Sequence, residues 1–225
     1  MAPDPVLEDS RWPSAELLQL LQSHVPRALS LLRRLQFASQ PGGSTEHTRV
    51  LFAHDGAAGR DAPFAAAYVD VSRGPETEVW LYASAEAALA RDAASPAEAD
   101  ACHALVLAVL RRAKRRAAEY ERAGGRLFRP HGLLVGALDE RLLQLLRARG
   151  VTTSYHNPTD KFLFRAADLP ARDEGDTALE AAGMHWDVVR RADMALIISR
   201  TNIPKVEYDG PARAGEQERG GYADG

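Results

Sequence analysis

A single cysteine, Cys102, stands in a chain of 225 residues, so neither an intrachain disulfide nor a cysteine-rich metal site is available. That scarcity fits a reducing compartment. No apolar run approaches the roughly 18–20 residues needed to span a bilayer. The formal net charge is only −3, which gives no overall attraction to nucleic acid or to an anionic membrane. Gly-x-Ser-x-Gly, a Walker loop and a dinucleotide fingerprint are all missing. The first ten residues carry acid and proline, with no basic n-region, apolar h-region or Arg/Ser-rich amphipathic helix. That argues against secretory and mitochondrial targeting and for a soluble, cytoplasmic protein. Residues 1–13 read as a disordered N-terminus.

What is present is a well-punctuated succession of elements. Ser14 is a candidate N-cap for a helix whose apolar face is Leu17, Leu18, Leu20 and Leu21. His24-Val25-Pro26 interrupts it, and a second helix over 28–37 places Leu29, Leu32 and Leu35 together, with Arg33 and Arg34 opposite. Pro26 suits the first turn of that helix, where its missing N–H costs nothing. After the loop Gln40-Pro41-Gly42-Gly43-Ser44 the period becomes strand-like. The segments 48–53, 64–71 and 78–83 are rich in Val, Tyr, Phe, Trp and Leu and are bounded by Gly, Pro or Asp. In the third, Val79, Leu81 and Ala83 alternate with Glu78, Trp80 and Tyr82. The hairpin-sized turn Ser72-Arg73-Gly74-Pro75-Glu76 makes antiparallel neighbours the natural arrangement.

Ser95, Pro96 and Glu98 form a capping box with proline at N1, opening the longest helix. Its apolar stripe runs from Cys102 through Leu105, Val106, Val109 and Ala113 to Tyr120, and Gly124-Gly125 ends it. A strand over 131–136, a helix over 139–149 and a strand over 161–165 follow, then a polar connector over 168–183. The last patterned stretch, 184–204, reads as a short strand, a charged turn and a helix N-capped by Asp193 and stopped by Pro204. Beyond it the chain is polar and Gly-rich, a disordered tail over 207–225.

Two helices, three antiparallel strands, a long helix, and then strand, helix, strand argue for an α/β sandwich with a mixed sheet flanked by helices. On that order, three stretches carry a resemblance: His24-Val25-Pro26-Arg27-Ala28-Leu29, the strands up to Trp80, and Phe162-Leu163-Phe164-Arg165 leading into Trp186-Asp187-Val188-Val189-Arg190. Together they resemble the N-terminal half of glycine-N-acyltransferase-like proteins, a branch of the GNAT superfamily of acyl-CoA N-acyltransferases. The resemblance implies a degenerate GNAT-like domain over 14–167. It also implies an incomplete second GNAT-like unit beginning over 184–206, since 22 residues after Ile203 leave no room for its remaining strands.

In GNAT enzymes the acyl-CoA pyrophosphate is held by backbone amides of an Arg/Gln-x-x-Gly-x-Gly/Ala turn at a helix N-terminus, where amides and dipole supply positive potential. Here Ala83-Ser84-Ala85-Glu86-Ala87 replaces it, and Glu86 puts a carboxylate where a phosphate would sit. Gln40-Pro41-Gly42-Gly43-Ser44-Thr45 starts like the turn but precedes a strand. The expectation is an acyl-CoA N-acyltransferase-like protein with weak or no catalysis in this chain. It has no cofactor-binding or metal residues and no assignable catalytic ones, and acyl-CoA or acetyl-CoA is the co-substrate of complete relatives. The alternative is a non-catalytic scaffold that associates, with itself or a partner, through an unfinished sheet edge of the second unit. A third reading takes Arg111-Arg112-Ala113-Lys114-Arg115-Arg116 as a nucleic-acid surface. No aromatic residues interleave for base stacking, and Glu119 and Glu121 follow one turn on, so a solvated helix face is preferred. His54-Asp55 reads as a strand-end turn, and Cys102 and His103 point different ways on their helix. None of the seven histidines shows metal-ligand spacing. Trp80, Tyr82, Phe162 and Trp186 are read as core or interface residues.

Overall fold

A computed structural model describes residues 5–56, 62–74, 76–130, 132–160, 181–183, 190–193, 196 and 199–200. The chain divides into two units, Met1–Leu163 and Phe164–Gly225. In the first, the elements run β1 (Val6–Ser10), α1 (Ala15–Ser23), α2 (Leu29–Ala38), β2 (Arg49–His54), β3 (Phe64–Val69), β4 (Val79–Ala83), α3 (Glu86–Ala90), α4 (Pro96–Arg122), β5 (Val135–Gly136) and α5 (Glu140–Ala148). The strands form one mixed sheet in the order β1-β2-β3-β4-β5. The first three pairings are antiparallel and β4–β5 is parallel. This is the α/β mixed sheet flanked by helices that the element order implies.

Both faces of the sheet are covered. Leu17, Leu21, Leu31, Leu32 and Leu35 of α1 and α2 pack on Val50, Phe64, Tyr68 and Tyr82. On the other face Cys102, Leu105, Val106, Val109 and Ala113 of α4, with Leu142 and Leu146 of α5, pack on Leu51, Val69, Val79 and Leu81. A strand buried on both faces needs no polar alternation, which accounts for β3: all six residues of Phe-Ala-Ala-Ala-Tyr-Val are buried. Burying each large side chain contributes about 1.5–3 kcal/mol, so these two layers carry the stability of the unit.

The caps form as their sequences dictate. Leu17 N donates to Ser14 Oγ at 3.0 Å. Glu98 N donates to Ser95 Oγ at 3.2 Å while Ser95 N donates to Glu98 Oε2 at 2.8 Å, closing the capping box. Asp139 caps α5 through Arg141 N.

Four expectations need correction. Residues 6–10 are not disordered: they form β1, in register with β2 from Val6↔His54 to Ser10↔Val50. Leu7 packs on the α4-side core, and Asp9 is bound by Arg112 and Arg116 of α4. An acid-rich strand held by ion pairs gives no hydrophobic period to read. Pro26 lies in the turn before α2, in a cis peptide with Val25, and its carbonyl accepts from Leu29 N at 3.2 Å. The expected strand over 131–136 shrinks to Val135–Gly136, and residues beyond Val69 leave β3 for a 3-10 turn, Val71–Arg73, capped by Asp70.

In the second unit Arg191–Asp193 is a 3-10 turn. Asp193 Oδ2 accepts from Arg190 N at 2.8 Å, a bond directed back toward the preceding turn. The expected strand over 161–165, and the greater part of 168–183 and 184–206, lie outside the described residues.

Candidate functional site

The carboxyl end of β4 is where the sequence directs attention, and backbone pairing decides what is available there. Val79 N donates to Leu134 O at 3.0 Å, toward β5, whereas Glu78 O accepts from Asp70 N, just past β3, and Ser84 N donates to Phe64 O in β3. The alternate residues Val79, Leu81 and Ala83 therefore aim their amides away from β3. β5 pairs with β4 only at Val79↔Val135 and Trp80↔Gly136, so Ala83 lies beyond the paired stretch. Its amide is taken by the protein itself: Glu86, 5% exposed, turns back from α3 and accepts from Ala83 N at 3.0 Å through Oε1. α3 is five residues long with no side-chain N-cap bond.

Around this plug the groups are closed and proton-retaining. Tyr82, on the α1–α2 side, shares a 3.0 Å hydrogen bond between its hydroxyl and His24 Nδ1. The His24 ring meets Phe64 edge-on at 5.1 Å. Burial first, and then the charge of Glu86, push the Tyr82 hydroxyl well above the phenol range. Under the other face Cys102 of α4 is buried, and burial with Glu86's charge pushes its thiol up to about 12. A thiol so protonated is no nucleophile at neutral pH. Arg27, on the α1–α2 turn, reaches Asp139 at the head of α5 with 3.3 Å between Nη1 and Oδ2. Side chains from the α1–α2 turn, α3, α4 and the N-cap of α5 thus gather at the end of β4.

The remaining candidates resolve as structural parts. Gly42 and Gly43 sit in the turn after α2, Gly42 at φ 76°, and a Cβ on Gly43 would lie 1.9 Å from Phe37 O. His54 Nδ1 accepts from Gly56 N at 3.1 Å, which leaves Nε2 to meet Glu8 Oε1 at 3.3 Å. Cys102 is in the core while His103 is half-buried beside it, its ring held neutral by partial burial and then by Arg149. Two of the basic-run residues, Arg112 and Arg116, bind Asp9 and Glu119 within the molecule. Among the described residues no group of three His, Cys, Asp or Glu side chains could hold a metal ion, and no helix is long and apolar enough to cross a membrane. Tyr82 is a core residue and Trp80 is partly buried beside it. Phe162 and Trp186 lie outside the described residues.

Two buried carboxylates escaped the sequence reading. Asp70 accepts from Thr45 Oγ1 and Thr48 Oγ1 at 2.8 Å each, from Ser72 Oγ at 2.7 Å and from Tyr68 OH at 3.2 Å. Burial opposes its charge, but the bonds from Ser72, Thr48 and Thr45 outweigh it and hold the carboxyl below its usual range. Glu78, also fully buried, accepts from Leu134 N at 2.8 Å. Only the Thr/Ser spacing around Asp70 offers a local signal, that of turn-forming side chains.

A mixed sheet with helices on both faces and a parallel β4–β5 junction defines a GNAT-like α/β domain. The family comparison agrees in class. Residues 4–168 match the model described as the acyl-CoA N-acyltransferase verG N-terminal domain, and since that is more than half of the chain, the protein belongs to this family. No curated protein and no solved structure matches it significantly.

Proposed function

We propose that this chain serves as the GNAT-like N-terminal domain of an acyl-CoA N-acyltransferase system, with weak or no catalysis of its own at the end of β4. The single observation that carries the proposal is Glu86: its buried carboxylate already occupies the Ala83 amide. The residues there do not fit a diphosphate. The acceptor is anionic, α3 is too short to offer an N-terminal anion site, and no glycine opens the turn. The finer assignment to the glycine-N-acyltransferase-like branch rests on the sequence resemblance alone.

Isothermal titration with acetyl-CoA and with a longer acyl-CoA tests this. No heat at millimolar ligand is the expected result, and saturable binding at micromolar concentration would refute it. Association through a sheet edge has less support in the first unit. The edge strand β1 carries Glu8 and Asp9, and charged residues of this kind blunt edge pairing.

A further inference from the structure

The junction between β4 and β5 runs through one residue. Leu134 O accepts from both Glu78 N and Val79 N, at 3.1 and 3.0 Å, and Leu134 N donates to Glu78 Oε2 at 2.8 Å. β5 itself adds only two paired residues. Glu78, immediately before β4, therefore holds the seat by its backbone and clasps it by its side chain. Its carboxylate is 0% exposed, and Oε1 has no hydrogen-bond partner among the described residues. Among the described residues the charged group that faces it is Arg129, from the segment after α4, with Nη1 3.8 Å from Oε2, beyond hydrogen-bond length.

We propose that Glu78 is a proton-operated latch for β5: the neutral carboxyl seats β5 against β4, and ionisation loosens that seat. The reason is the mismatch between charge and site. An ionised carboxylate calls for several donors. Here it has one at bonding distance, and it is cut off from water. The neutral carboxyl keeps the Leu134 N–H bond through its carbonyl oxygen and carries no charge to solvate. Lifting β5 would admit water to Oε1, so the ionised form favours the open seat. The tendency of the group runs the same way. Burial raises its pKa above 4.5, and the Leu134 amide and Arg129, which act against this, do not offset it. The sign follows. Because the seated pKa is raised, the seat is tightest below the open-state value and weakens as pH rises through the seated one. The chain leaving β5 enters Ala137, held at φ 58°, and then Asp139, where Arg27 is bound. A looser β5 thus frees the flank of the β4 end.

Amide hydrogen exchange, corrected for intrinsic rate, tests the latch in the full chain between pH 4.5 and 8. In the wild type, protection of Val79 and Leu134 is expected to fall by up to about tenfold per pH unit until the seated pKa is passed, while Ala66 in β3 keeps its protection. In E78Q, which retains an acceptor for Leu134 N without a charge, protection should be flat and at least equal to the wild-type value at low pH. E78A, which removes the acceptor, should lose protection at every pH. Parallel pH courses in wild type and E78Q would overturn the proposal. So would an E78Q chain that fails to fold, since the neutral isostere is the form said to fit.

Discussion

Replacing Asp9 with asparagine probes how the first strand is held, and its size can be worked from the geometry. The Asp9 side chain is 13% exposed, and its carboxylate takes Arg116 Nη2 at 2.9 Å, Arg116 Nε at 3.0 Å and Arg112 Nε. Glu119 completes the group, 3.2 Å from Arg112 and 2.9 Å from Arg116. Exposed pairs contribute ~0–1 kcal/mol, and removing one partner of a fully buried pair costs ~3–5 kcal/mol. A pair between those limits, leaving two guanidinium groups with Glu119 alone, places D9N at about 2–3 kcal/mol. For a unit of this size that lowers Tm by roughly 4–10 °C. The pH dependence has a definite sign. Burial opposes ionisation of Asp9, but the bonds and charges of Arg116 and Arg112 prevail and hold its pKa below 3.8. A depressed carboxyl stabilises the fold above its unfolded pKa and loses that contribution as pH falls through the folded one. Urea unfolding at neutral pH and again at acid pH should therefore show a gap between wild type and D9N that shrinks on acidification. A neutral-pH gap under about 0.5 kcal/mol, or one that persists in acid, would refute the argument. Lys114→Ala and Arg115→Ala, on the exposed face of the same helix, are the controls and should stay within ~0.5 kcal/mol.

Tyr68→Phe removes a hydroxyl that accepts from Arg34 Nη2 at 2.6 Å and donates to Asp70 at 3.2 Å, leaving a half-buried guanidinium and a buried carboxylate each short of a bond. A loss of about 1–3 kcal/mol in chemical denaturation is expected, and a neutral outcome would mean the Arg34–Tyr68–Asp70 chain is not a stabilising unit. Gly136→Ala would set a Cβ 2.5 Å from Thr77 Cγ2, so it should cost ~1–3 kcal/mol. Thr77→Ala in the same chain should recover most of that loss, and failure to recover would locate the strain elsewhere.

Much of the fold was legible because local chemistry and tertiary demand agreed. Ser95-Pro96-x-Glu98 names a helix start in any context, and Asp139 and Ser14 do the same for their helices. The leucine stripes of α1, α2 and α5 require a sheet face to cover. β1 was hidden because its inward residues are Leu7 and Asp9, and the partners that make Asp9 an inward residue lie more than a hundred positions away on α4. Pro26 misled because a proline before a helical run fits N1 by propensity, whereas α2 begins three residues later. Glu78 looked like the polar half of an alternating strand. Its burial depends on β5 and on the segment after α4, which no period in β4 can announce. The same is true of the His24–Tyr82 bond, which joins residues 58 apart.

Glu86 was legible as a carboxylate just after β4, and its geometry shows what it binds there. A strand end turned away from its neighbour leaves a backbone N–H that must find an acceptor. By the resemblance, GNAT enzymes hold a bound pyrophosphate with backbone amides of the turn that leads into the next helix. Here the acceptor is covalently part of the chain, three residues on, and it is buried with the amide it satisfies. An intramolecular acceptor is present at fixed effective concentration, so the Ala83 amide is satisfied within the chain. A ligand anion would have to displace a carboxylate and then share the site with its charge.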